Sequence, residues 1–109
     1  MLRANVHLAL HALVPAAVAA AFWRDKFWRT WLTLVATMVI DLDHLLADPV
    51  YDASRCSIGF HPLHSYPAIA AYGAAALWPR LRLIAIGLLI HMALDGIDCV
   101  WISCEQPPQ

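Results

Sequence analysis

Four stretches of this chain, 4–22, 30–47, 62–79 and 83–102, are each long and apolar enough to cross a bilayer, and each carries or adjoins histidine or aspartate. A helix over such a stretch reaches about 27–30 Å, the thickness of a hydrocarbon core. An ionised aspartate facing lipid there costs about 2.5–3.5 kcal/mol or more, so any workable fold turns these groups inward. Hydrophobic residues make up 61% of the 109 positions, which excludes disorder and exceeds what a soluble domain this small can hide. Seven Lys and Arg against eight Asp and Glu leave a formal charge of -1, and with it no electrostatic footprint for nucleic acid.

The expected fold is therefore an all-α membrane protein, one domain over 1–109, built as an up-down-up-down bundle of four transmembrane helices. Charged connections, WRDKFWR and PRLR, join helices one to two and three to four, and a longer polar loop over 48–61 joins two to three. Arg24, Lys26, Arg29, Arg80 and Arg82 fall on one side, and Arg3 and Arg55 on the other. The first side should be cytoplasmic. Both termini and the 48–61 loop then lie outside a bacterial inner membrane. A competing reading takes the first stretch as a secretory signal, with Arg3 before it and small residues at Ala19 to Ala21. Charges placed mainly after the run, and the interruptions at His7 and His11, weigh against it.

Residues three, four and seven apart share one face of an α-helix. His7 and His11 form such a pair, Asp41, His44 and Asp48 a stripe, His61 and His64 a pair at the start of the third helix, and His91, Asp95 and Asp98 a second stripe. Asp43 should point elsewhere, about 160° from Asp41 at 100° per residue. Measured from the cytoplasmic ends, all four sets lie about 12–27 Å up, in the outer half of the bilayer. Four helices have no reason to agree on depth unless these groups meet. Imidazole and carboxylate are ligands for divalent transition metals, Zn foremost and then Mn or Fe, and the set is large enough for one or two ions. His7, His11, Asp41, His44, His61, His64, His91 and Asp95 are the expected ligands. Any one pair alone is better explained as hydrogen bonding between helices.

The series Asp41-Leu42-Asp43-His44, then His61-Pro62-Leu63-His64-Ser65, then His91-Met92-Ala93-Leu94-Asp95 resembles the motif set of the YdjM-type bacterial inner-membrane proteins, described as metal-dependent hydrolases. The segment RCSIGFHPLHSYPA, residues 55–68, resembles more closely a small four-helix bacterial family of unknown function, over nearly the whole chain. The wider resemblance implies that Asp41, Asp43, His44, His64, His91 and Asp95 belong to a metal site, with His7, His11 or both. One departure is that the wider family's third-helix motif usually reads like HRGxTHS, and its Arg, Gly and Thr are absent here.

The resulting expectation is a hydrolase in which a metal lowers the pKa of a water to about 7 for attack on a phosphoester or ester. A ligand-free aspartate, Asp43 or Asp98, acts as base, and Ser65 bonds a ligand from behind. Membrane lipid is the expected surrounding, a lipid-like molecule entering from the outer leaflet the expected substrate, and a homo-oligomer is compatible with so small a chain. A non-enzymatic metal-binding protein or proton and ion relay is the alternative, as is a passive hydrated scaffold. A relay should continue to the inner face, where only Thr30, Thr33 and Thr37 are on offer. Cys56, Cys99 and Cys104 map to the outer side. Cys56 then bridges Cys99 or Cys104, or all three pack as unpaired small hydrophobes.

Overall fold

A computed structural model describes residues 2–106 and is all-helical. Helix α1 spans Leu2–Phe22, α2 spans Phe27–Ala36 and runs on as 3₁₀ winding over Thr37–Leu46, α3 spans Tyr66–Ala75, and α4 spans Arg82–Glu105. Single 3₁₀ turns occupy Arg24–Lys26 and Pro62–His64. Two of the four helices, α1 and α4, are long and apolar enough to cross a membrane, with mean hydropathy 1.5 and 1.9. The other two depart from the expected continuous helices over 30–47 and 62–79.

Both departures have local causes. Thr37 turns its hydroxyl back onto the Leu34 carbonyl at 2.6 Å, and the β-branched and aspartate residues that follow, Val39, Ile40, Asp41 and Asp43, are weak α-formers. The chain tightens to three residues per turn, which eclipses positions three apart and brings Ile40 and Asp43 onto the inner side. Farther along, Ser65 is extended and its hydroxyl accepts the Ala68 N–H, so winding stops after His64 and restarts at Tyr66. That hydroxyl also donates to the Pro62 carbonyl at 2.8 Å. Ser65 is thus a helix cap and not the support for a metal ligand that its place in the motif suggested.

α4 is the central element and packs against α1, α2 and α3. Its close approach to α2 depends on Gly87, where a Cβ would lie 2.8 Å from both Thr37 Cγ2 and Oγ1 and 3.2 Å from the Leu34 carbonyl. Trp31 joins α2 to α1 by donating from Nε1 to the Ala12 carbonyl at 2.9 Å. A disulfide between Cys56 and Cys99 fastens the 47–61 connection to α4, leaving Cys104 free and exposed.

The distribution of polarity is inverted relative to a water-soluble fold. Among the described residues the buried hydrophobic side chains are Ala19, Leu34, Ile40, Ala85, Met92, Leu94 and Ile102, whereas His11, Thr30, Thr37, Asp43, His61, His64, His91 and Asp95 are buried and polar. Leu8, Leu13, Leu32, Val39, Leu42 and Leu45 are all more than half exposed. Ionisable groups thus share the interior with a small apolar core, while several leucines face outward.

Gly87→Ala should lower stability by about 1–3 kcal/mol through overpacking, while Gly73→Ala, whose Cβ meets nothing within 4 Å, should leave the thermal melt in detergent unchanged or raised. Equal melts for wild type and Gly87→Ala would contradict the α2–α4 contact. Maleimide labelling without reductant should modify Cys104 alone, and three reactive thiols would remove the Cys56–Cys99 bridge.

Candidate metal centre

Asp95 lies at the middle of the buried cluster. Its Oδ1 is 3.1 Å from His7 Nε2 and 3.4 Å from His11 Nε2, both from α1. Its Oδ2 is 3.0 Å from His64 Nε2 and 3.2 Å from His91 Nε2. Asp41 Oδ1 approaches the same two rings, at 3.2 Å from His64 Nε2 and 3.1 Å from His91 Nε2, and those two nitrogens stand 3.3 Å apart. Asp41 Oδ1, His64 Nε2, His91 Nε2 and Asp95 Oδ2 therefore enclose a point. A tetrahedral ion with ligands at about 2.0–2.1 Å has edges of about 3.3 Å, which these separations match.

The tautomers make the same case independently. Carbonyl and carboxylate oxygens only accept, so a ring nitrogen bonded to one must carry the hydrogen. His64 Nδ1 donates to Asp43 Oδ2 at 2.9 Å, and His11 Nδ1 donates to the His7 carbonyl at 2.8 Å. In the neutral rings Nε2 is then a bare lone pair. His64 aims that lone pair at Asp41 and Asp95, and His11 aims its own at Asp95. For neutral rings acceptor then faces acceptor in a buried place, an arrangement that a cation between them or a second ring proton relieves. His11 Nε2 and Asp95 Oδ2 are both buried without a hydrogen-bond partner. The donor set fits a divalent metal.

Asp43 does not point away from the cluster, as 100° per residue would have it. The 3₁₀ winding brings it behind His64, where Oδ2 accepts His64 Nδ1 and the Leu63 N–H, each at 2.9 Å, and Oδ1 accepts His44 Nδ1 at 3.1 Å. A carboxylate on the far nitrogen of a ligating histidine fixes its tautomer and raises its basicity. His44 and His61 form a third group with Asp43, their rings 3.8 Å apart. His44 turns Nε2 outward to Ser57 Oγ at 3.5 Å. Asp98 is paired with Arg3 at 2.7 Å, and 3.9 Å separates it from His7 Nδ1. Asp48 is exposed and stands apart from the groups that can hold an ion.

A cavity of about 300 Å³ opens beside the cluster, lined by His7, Asp41 and Asp95 from the helical elements and by Tyr51, Arg55 and Ser57 from the connecting loop. The Arg55 guanidinium is held over the Phe60 ring at 4.6 Å and donates to the Pro49 and Val50 carbonyls at 3.0 Å each. Arg3 binds the Ala53 carbonyl as well as Asp98 and Glu105. On the loop, Ser54 donates its hydroxyl and its N–H to Asp52 and holds that carboxyl below the ordinary carboxylate range. Ser57, Arg55 and the Leu63 N–H lie on a loop and a turn, where no periodicity points to them. The segment RCSIGF was the sole signal for the first two.

A family model described as a family of unknown function, DUF6122, matches residues 1–102, and the chain belongs to that family. No curated protein and no solved structure matches the chain. The likeness to the YdjM-type hydrolases rests on the motif series alone.

Asp43→Asn should weaken metal binding about 10–100-fold, because the His64 tautomer loses its anchor while all four donor atoms remain. Isothermal titration with Zn²⁺ in detergent measures this, and an affinity equal to wild type would show that Asp43 has no part in orienting His64.

Proposed function

We propose, starting from membership of a family of unknown function, that the chain is a membrane-embedded metal-dependent hydrolase acting on a phosphoester or ester of a lipid-like molecule. The observation that carries this reading is the convergence of four donor atoms, one of them the Nε2 lone pair of His64, whose tautomer Asp43 fixes, next to a cavity large enough for a substrate headgroup. Asp41, His64, His91 and Asp95 hold the ion, with Zn²⁺ first among candidates for this N and O donor set. An ion bound there would supply Lewis acidity and, by expanding from four to five ligands, an acidified water.

The chain's own residues divide the remaining work. Asp41 is 38% exposed and is the ligand through which the buried set reaches the cavity. Asp43 keeps His64 in its Nε2-ligating form. Because Asp43 is occupied in this way and Asp98 is neutralised by Arg3, neither is free as the base that spacing suggested. His44, whose Nε2 accepts from Ser57 at the cavity wall, is the better placed proton acceptor.

Exposed leucines around buried aspartates support four membrane crossings with the centre in the outer half of the bilayer. The excess of Lys and Arg in the two short connections supports a cytoplasmic side there, with both termini outside the inner membrane. A bridge between Cys56 and Cys99 suits an oxidising outer compartment. The alternative, a proton or ion relay, lacks a path toward the other face: the buried polar groups below Asp41 are Thr37 and Thr30, and the Thr37 hydroxyl is spent on Leu34.

Purified protein loaded with Zn²⁺ should release product from at least one of a panel of phospholipids, polyprenyl phosphates and chromogenic phosphoesters. Chelation or Asp41→Ala should reduce that release by at least about 100-fold, the scale of losing one electrostatic contact to a transition state. Release that survives both treatments, or none from any substrate by protein that binds metal, overturns the hydrolase reading.

A further inference from the structure

The two oxygens of Asp95 are addressed by two separate pairs of imidazoles, and this division bears on how many ions the centre holds. Oδ2 closes the four-donor set with Asp41, His64 and His91, while Oδ1 faces His7 and His11. We infer that His7, His11 and Asp95 form a second divalent-metal site, that Asp95 bridges the two ions, and that the second site is the one with a coordination position open to the cavity. The inference rests on the metal-centre reading above.

Three observations support it. His11 is 4% exposed, its Nδ1 is committed to the His7 carbonyl, and its Nε2 has no hydrogen-bond partner although it is aimed at Asp95. A buried lone pair facing a carboxylate at 3.4 Å repeats, on the α1 side, the condition that marks the first site. Helical spacing of four residues brings His7 Nε2 to the same oxygen at 3.1 Å. A carboxylate that offers one oxygen to each of two ions suits a pair spaced about 3.5–4 Å apart.

Charge points the same way. Asp98 and Glu105 are paired with Arg3. Asp41, Asp43 and Asp95 have no Lys or Arg within salt-bridge distance among the described residues, so three negative charges share the cluster. One divalent ion leaves one of those charges uncompensated. Two ions leave a single positive charge, which an anionic substrate can neutralise.

The donor counts assign different roles. Four protein ligands fill a tetrahedral shell, as in structural sites, whereas three leave the fourth position for water or substrate. The His7 side chain is 27% exposed and lines the cavity with Asp95, so the vacant position of the three-donor site faces the space where a headgroup would sit. The ion in the four-donor site then chiefly orders Asp95 and Asp41.

The test is metal stoichiometry in protein purified in mild detergent, stripped, reloaded with CoCl₂ and passed through a desalting column. Cobalt is measured by mass spectrometry and spin coupling by electron paramagnetic resonance. Wild type should retain two equivalents with a signal weakened by coupling. His7→Ala and His11→Gln should each retain one equivalent with a full uncoupled signal and a thermal melt that stays cooperative. One equivalent in wild type, lost in His64→Ala, overturns the second site and leaves the single-ion reading standing. Two equivalents retained in both α1 variants locate the second ion elsewhere and overturn the assignment. Loss of both ions from a variant that still melts cooperatively overturns the division into two sites. No cobalt in wild type removes the metal centre altogether.

Discussion

Four imidazoles surround one carboxylate, and the rest of the molecule is arranged so that they can. Asp95 receives His7 and His11 from α1, His64 from the turn before α3 and His91 from one turn back on α4. α1 supplies two of them, the turn before α3 one, and α4 itself the fourth. Gly87 lets α2 close onto α4, and that approach carries Asp41 and Asp43 on the following 3₁₀ turns to the two sides of His64. The stripe His11, Pro15 and Ala19 buries α1 on its inner side, so His7 and His11 meet Asp95 from the remaining quarter. Moving any one of these helices by a few ångströms would separate donor atoms that now lie 3.0–3.4 Å apart.

Much of this arrangement is legible in the sequence because α-helical spacing is a reliable ruler. The i, i+4 pairs His7 with His11 and His91 with Asp95 sit on real α-helices, and the structure brings each pair to one side. The ruler fails where the winding changes. At 120° per residue in place of 100°, Asp43 no longer points away from Asp41's partner: the two carboxylates take opposite nitrogens of His64. His61 and His64 lie on a turn that no periodicity describes, and Ser65, attractive by motif, is consumed as a cap. Which ligands share an ion was also beyond reach, since that depends on ring tautomers fixed by the His7 carbonyl and by Asp43.

The outer connection does for the cavity what the helices do for the donors. Arg55 is fixed by two backbone carbonyls and a ring, and the Cys56–Cys99 bridge ties the next residue to α4. The loop side of the cavity is thereby anchored to the same helix that carries Asp95. Arg3 clamps the far end by joining Asp98, Glu105 and the Ala53 carbonyl. The motif arginine of the wider resemblance is absent from the third helix, yet two arginines border the cavity, Arg3 from α1 and Arg55 from the loop.

Energetics explain why such a centre is tied to a cation. Three aspartates lacking Lys or Arg partners, at about 2.5–3.5 kcal/mol each in an apolar surrounding, cost roughly 8–10 kcal/mol, comparable with the whole stability of a small domain at about 5–15 kcal/mol. Hydrogen bonds from the His64 and His44 Nδ1–H groups and the Leu63 N–H offset part of this at Asp43, whereas neutral His64 and His11 present lone pairs to Asp95. Binding a divalent ion to a preformed set of N and O donors contributes on the order of 10 kcal/mol, the scale known for structural zinc. A cation held by these donors would therefore tie the polar interior to the fold: the helices hold the donors within the reach of an ion, and an ion would compensate the charge that the helices bury.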